Sequence, residues 1–228
     1  MGFLQKIMNA KYRDDRSPKR PSSFTHLTED ELEAHMNVSR YGSFTLTDAI
    51  RPSYTLDVVP AAGYRHDWYE DKQTETRIPV LLAAVSREDL FDAFLSLLEP
   101  LGETVDVVLE TSHDQDGGEH SDLYREQIDM PVLQSTLYDF EDMLLDDGHT
   151  GIAVLNPRIP MEVQLDEHKL IIVYGRDNEQ YEQILLDHCV EGSEQLRFIT
   201  EAEHVHSSSD EYIEQFRQLQ YRLGIDDF

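Results

Sequence analysis

The stretch from residue 79 to residue 109 constrains the fold more than any other part of this sequence. Residues 79–85 (PVLLAAV) form an unbroken apolar run of strand length, the pattern of a strand covered on both faces. Ser86 then offers a helix cap, and Leu90, Phe91, Phe94, Leu95, Leu97 and Leu98 recur at the spacing of a broad buried helical face. Pro100 and Gly102 end that helix, and residues 105–109 (VDVVL) read as a second strand. Strand, helix and strand in about 34 residues make a βαβ unit.

A similar pattern recurs some 90 positions later. Residues 170–174 read as a buried strand, Asp177 caps a helix bearing Tyr181, Ile184 and Leu185, and residues 196–199 read as a strand. Between the two units, Pro131 opens a helix over 131–146 with Val132, Leu133, Leu137, Phe140 and Leu144 inward, and Gly148 closes it. Residues 152–155 and 161–165 then form strands, the second alternating so cleanly that one face is expected to be wet. The tetrapeptide Asp166-Glu167-His168-Lys169 turns into the strand at Leu170, giving a three-strand meander. The predicted fold class is α/β (α+β), a two-layer sandwich of a mixed β-sheet with helices that contains two βαβ units.

Flanking segments add detail. Thr28 and Glu31 have the spacing of a capping box, with Leu27 and Leu32 at the staple positions, so a helix runs to about Met36. Residues 44–47 and 54–59 alternate as strands, and residues 60–76 read as a long loop or irregular hairpin. Ser208 and Glu211 suggest a second capping box, before a helix with Tyr212, Ile213, Phe216, Leu219 and Leu223 on one face. Residues 1–23 read as a flexible arm: a short apolar run with Phe3, Leu4, Ile7 and Met8, then a charged stretch holding Pro18 and Pro21. Residues 24–228 are expected to form one globular domain, with a subdivision into 24–77 and 78–228 as the alternative.

Composition narrows the function. The chain has 228 residues and a formal net charge of −27. Residues 1–20 carry six basic and two acidic side chains, so the remaining body sums to −31. Such a field disfavours nucleic acid, whose phosphates are bound largely through Lys and Arg. One cysteine, Cys189, leaves no intramolecular disulfide and no cysteine-rich metal site, and its place on an apolar helix end suggests an inert buried thiol. No apolar stretch approaches the ~20 residues of a membrane span. These features predict a soluble, cytoplasmic, acidic protein.

Two functional readings follow. The first is a non-enzymatic protein-interaction or regulatory domain, its acidic surface facing a basic partner or a second copy. Tyr64, Arg65, Trp68 and Tyr69 are the candidate contacts, because aromatic residues and Arg dominate interface energetics. The second is a metal-dependent hydrolase built on the polar loop 113–122, where His113, Asp114, Asp116 and His120 offer ligands for Zn²⁺, Mn²⁺ or Fe²⁺. His204 and His206 join that list, since residues two apart on a strand point the same way. The pair needs a third ligand from elsewhere, and His113 or His120 is the candidate. No dinucleotide fingerprint, P-loop or Gly-x-Ser-x-Gly elbow occurs, so no catalytic residue is assigned.

Overall fold

A computed structural model describes residues 22–71, 76–113 and 121–225; the expected arm at 1–23 falls almost wholly outside them. The chain begins with α1 (Glu29–Met36), β1 (Arg40–Tyr41), β2 (Phe44–Thr45) and β3 (Ile50–Pro52). Next come β4 (Gly63–Asp71), β5 (Thr76–Ala84), α2 (Arg87–Leu98), β6 (Thr104–Thr111) and β7 (Ser121–Asp129). The middle holds α3 (Met130–Tyr138), α4 (Glu141–Asp146), β8 (Thr150–Asn156), β9 (Met161–Leu165) and β10 (Ile171–Tyr174). Last are α5 (Glu179–Asp187), β11 (His204–His206) and α6 (Asp210–Arg222).

Local chemistry explains several boundaries. At α1 the capping box is reciprocal: the Glu31 amide donates to Thr28 Oγ1 at 3.3 Å, and the Thr28 amide donates to a Glu31 carboxylate oxygen at 2.9 Å. At α6 the cap is Ser209, one residue later than expected, and it accepts from the Tyr212 amide. With Tyr212 at the third helical position there is no carboxylate to complete a box. The expected helix over 131–146 is broken at Asp139 and Phe140 into α3 and α4, and Val132 faces solvent.

Seven strands make the main sheet in the order β4-β5-β10-β9-β8-β6-β7, and every neighbouring pair is antiparallel. The protein is therefore a mixed α/β protein with a mostly antiparallel sheet. β5 and β6 do run the same way with α2 between them, but β10, β9 and β8 are inserted and the two strands do not pair. The expected second unit has no closing strand: residues 196–199 lead into a short 3₁₀ turn, Ile199–Glu201.

An apolar run signals two-sided burial, which antiparallel neighbours can supply as well as parallel ones. On β5, Leu81 and Ala83 enter the main core with Leu90, Phe94 and Leu97 of α2, while Leu82 and Ala84 turn to a second cluster. That cluster comprises Phe44, Leu46, Ala49, Ile50, Ala84, Leu170, Phe198 and Ile199. It joins the segment around β2 and β3 to the end of the sheet. The meander β8-β9-β10 forms as expected, but all five residues of β9 are buried, Glu162 and Gln164 included.

Both sheet edges were hidden in the sequence. Within residues 60–76, expected as a long loop or an irregular hairpin, Gly63–Asp71 form the edge strand β4, antiparallel to β5, and β7 is the other edge. Residues 54–59 are turn and bend rather than strand, with Tyr54, Leu56 and Val59 exposed and Leu56 at φ 51°. A separate two-stranded sheet pairs β3 with β11, setting His204 opposite Pro52 and His206 opposite Ile50. No helix among the described residues is long and apolar enough to cross a membrane.

Candidate metal centre

The β3/β11 ladder fixes one half of the site. His204 and His206 alternate with Val205, so both imidazoles leave β11 on one side. The other half comes from the β9–β10 turn. There the Asp166 carboxylate accepts the amides of His168 and Leu170 at 2.9 and 2.8 Å, while the Lys169 amide donates to the Asp166 carbonyl oxygen. These bonds hold Lys169 at φ 60° and aim His168 toward β11.

Three imidazoles converge as a result. Ring centres lie 5.0 Å apart for His168 and His204, 4.8 Å for His168 and His206, and 5.1 Å for His204 and His206. Three imidazoles ligating one tetrahedral ion through a ring nitrogen at about 2.0–2.1 Å place their centres roughly 5 Å apart. Candidate ligand nitrogens of the trio all lie within 4.8 Å of one another. A bound ion requires about 3.3 Å between ligating nitrogens, so modest ring rotation closes the site.

Hydrogen bonding sorts the nitrogens. His204 Nδ1 stands 2.8 Å from the Ala202 carbonyl oxygen, and His206 Nδ1 stands 2.6 Å from that of Gly148. A carbonyl oxygen only accepts, so each Nδ1 carries the proton and each Nε2 keeps its lone pair. His168 Nδ1 donates to Asp166 Oδ2 at 2.8 Å. Metal-bound histidines characteristically donate their second nitrogen to a carboxylate or a carbonyl, and all three rings have that arrangement.

Burial, followed by the neighbouring His168, pushes His206 down to about 4. It likewise lowers His204, so both rings are held in the neutral, ligating form. At His168 burial pulls downward, but the charge and hydrogen bond of Asp166 win and raise it. Burial would raise Asp166, and His168, the Leu170 amide and Lys169 together hold it low.

A polar knot adjoins the trio. The fully buried Asp147 carboxylate accepts from His113 Nε2 at 2.7 Å and from the Thr150 hydroxyl. Burial opposes its charge, yet His113, Ser208 and Thr150 bring it down to about 2. Lys169 Nζ donates to the Thr150 carbonyl oxygen at 2.7 Å, and burial lowers it to about 8 against the pull of Asp147 and Asp166. The His113 ring stacks on His149 at 5.4 Å, and His149 lies 6.3 Å from His206, outside the trio.

The expected site residues are thus divided. His204 and His206 come together, but the third ring is His168, which the sequence marked only as part of a turn. His113 is committed to Asp147 and is not within the trio. Asp114, Asp116 and His120 lie outside the described residues.

Of the expected interface residues, Tyr64 is buried in the core. Arg65 is held by Glu201 and Asp67 across the Phe198 ring, and Tyr69 packs on Tyr174. Trp68 is half-exposed beneath the Arg77 guanidinium at 4.2 Å. Strand alternation splits the four residues between two faces, so they form no common patch. Cys189, expected to be buried, is exposed at φ 60° just past α5. No family model, curated protein or solved structure gives a significant match to the chain.

Proposed function

We propose that this protein binds a divalent transition-metal ion of the zinc class through His168, His204 and His206. One observation carries the reading: three imidazole centres 4.8–5.1 Å apart, each with its Nδ1 committed to a fixed acceptor. Imidazole donors suit Zn²⁺, Cu²⁺, Ni²⁺ and Fe²⁺ and do not suit the oxygen-seeking Mg²⁺ or Ca²⁺. Among the described residues the group comprises three imidazoles and no fourth His, Cys, Asp or Glu. The metal-dependent alternative drawn from the sequence is favoured, moved from the 113–122 loop to this trio.

The test is titration of chelator-treated protein with Co²⁺, followed by visible absorption and calorimetry, and competition with Zn²⁺. One equivalent should bind with the intense bands of a tetrahedral nitrogen-rich site. Single substitutions His168→Ala, His204→Ala and His206→Ala should each abolish those bands, whereas His113→Ala should retain them. Absence of stoichiometric binding, or binding indifferent to all three substitutions, refutes the proposal.

A further inference from the structure

We infer that the ion serves as a clamp, holding the N-terminal segment around β2 and β3, together with β11, against the main sheet, so that metal loading controls how often this region opens. The inference rests on the metal-binding reading. It begins from where the ligands sit. His204 and His206 belong to the two-stranded β3/β11 sheet, and His168 belongs to a turn of the seven-stranded sheet. The ion therefore bridges two sheets that share no ladder, and opening one away from the other must break the coordination.

The joint it bridges is loosely packed. Its apolar contacts are the second cluster of eight buried residues, much smaller than the main core. A partly open pocket of about 30 Å³ borders that cluster, lined among others by Leu46, Thr47, Ile50, His168, Leu170 and Phe198. The hydroxyls of Thr47 and Tyr41, both in this segment, are buried without a hydrogen-bond partner among the described residues. A solvent-open pocket at the joint leaves fewer packing contacts and unpaired buried hydroxyls weaken it, and such regions open locally before the rest of a protein does.

Hydrogen bonds to the rest of the protein provide the remaining hold. The Gly148 amide donates to the Ser207 carbonyl oxygen, the Thr45 amide to Ser86 Oγ and the Asp48 amide to Asp146 Oδ1. These three amides report directly on opening.

Hydrogen exchange read by mass spectrometry, with chelator and with Zn²⁺ at a hundred times its measured Kd, tests the clamp. If the open form does not bind the ion, exchange of the bridging amides, read in peptides covering 44–49 and 147–149, slows by about 100-fold, the factor set by mass action. Exchange in β8 should not change. In His168→Ala, and in His168→Gln as a milder second variant, Zn²⁺ should no longer slow exchange in either peptide. Thr47→Val should slow it in the metal-free protein by removing an unpaired hydroxyl. Stoichiometric Zn²⁺ binding without local slowing, or with equal slowing in β8, overturns the clamp and leaves the metal site standing. Failure to bind Zn²⁺ at all removes both.

Discussion

Glu162 offers the sharpest test of the packing. It lies on β9 between Leu155 of β8 and Tyr174 of β10, and only 3% of its surface is exposed. Burial, reinforced by Glu110, raises it from 4.5 to about 8. Glu110 is itself raised to about 7 by burial and by Asp122, although Gln164 donates to it at 2.8 Å. From pH 4.5 to about 8 the folded protein keeps the Glu162 proton while the unfolded chain releases it. Stability present at low pH is therefore lost as pH rises through this window, and the loss levels off above it.

At roughly 1.4 kcal/mol per unit, Glu162 alone should cost about 3–4 kcal/mol between pH 5 and pH 9. The substitution Glu162→Gln keeps the shape and removes the charge. Urea unfolding of parent and variant at both pH values measures the difference. The variant should gain about 3–4 kcal/mol on the parent at pH 9 relative to pH 5, with unchanged m-values. A stability difference that does not vary with pH would refute the reasoning.

Three further predictions concern the site and its support. Asp166→Asn keeps an oxygen for the His168 and Leu170 amides but no longer accepts from His168 Nδ1 as a carboxylate, so Zn²⁺ affinity should fall about 10–100-fold by calorimetry, with an unchanged circular-dichroism spectrum. Gly148→Ala would bring a Cβ to 2.3 Å from the Ala49 carbonyl oxygen and 2.9 Å from that of Ser207. Backbone cannot yield there as a side-chain tip would, and urea unfolding should show a loss of about 3 kcal/mol or more. Phe94→Ala, in the fully buried face of α2, should cost about 3–5 kcal/mol in the same assay, with no effect on metal stoichiometry.

Elements whose signal is local were legible in the sequence. The capping box at Thr28, the apolar face of α2 and the β8-β9-β10 meander each follow from residue spacing within a dozen positions. What needed partners from afar was not. β4 is a sheet edge, and an edge strand can be polar and aromatic without losing its place, so composition suggested only a long loop or an irregular hairpin there. Phe198 and Ile199 carry the apolar content of a strand but spend it on the second cluster from an irregular segment. The absence of a wet face on β9 depends on tertiary cover that alternation does not encode. Two of the three rings of the histidine trio were visible as His204 and His206 at strand spacing. His168 was not, because nothing near it in sequence tells a turn histidine from a ligand.

The pairing of β3 with β11 carries a consequence for synthesis. Pro52 lies opposite His204, about 150 residues further along the chain. At about 5–20 residues per second, the ribosome needs roughly 8–30 s to supply β11 once β3 has emerged. Throughout that interval Ile50 and its neighbours have no ladder partner, whereas His168, made only 36 residues before His204, waits roughly 2–7 s for the two rings it will face. The histidine trio is thus among the last features a nascent chain can assemble, after every strand of the sheet that supports it has been made.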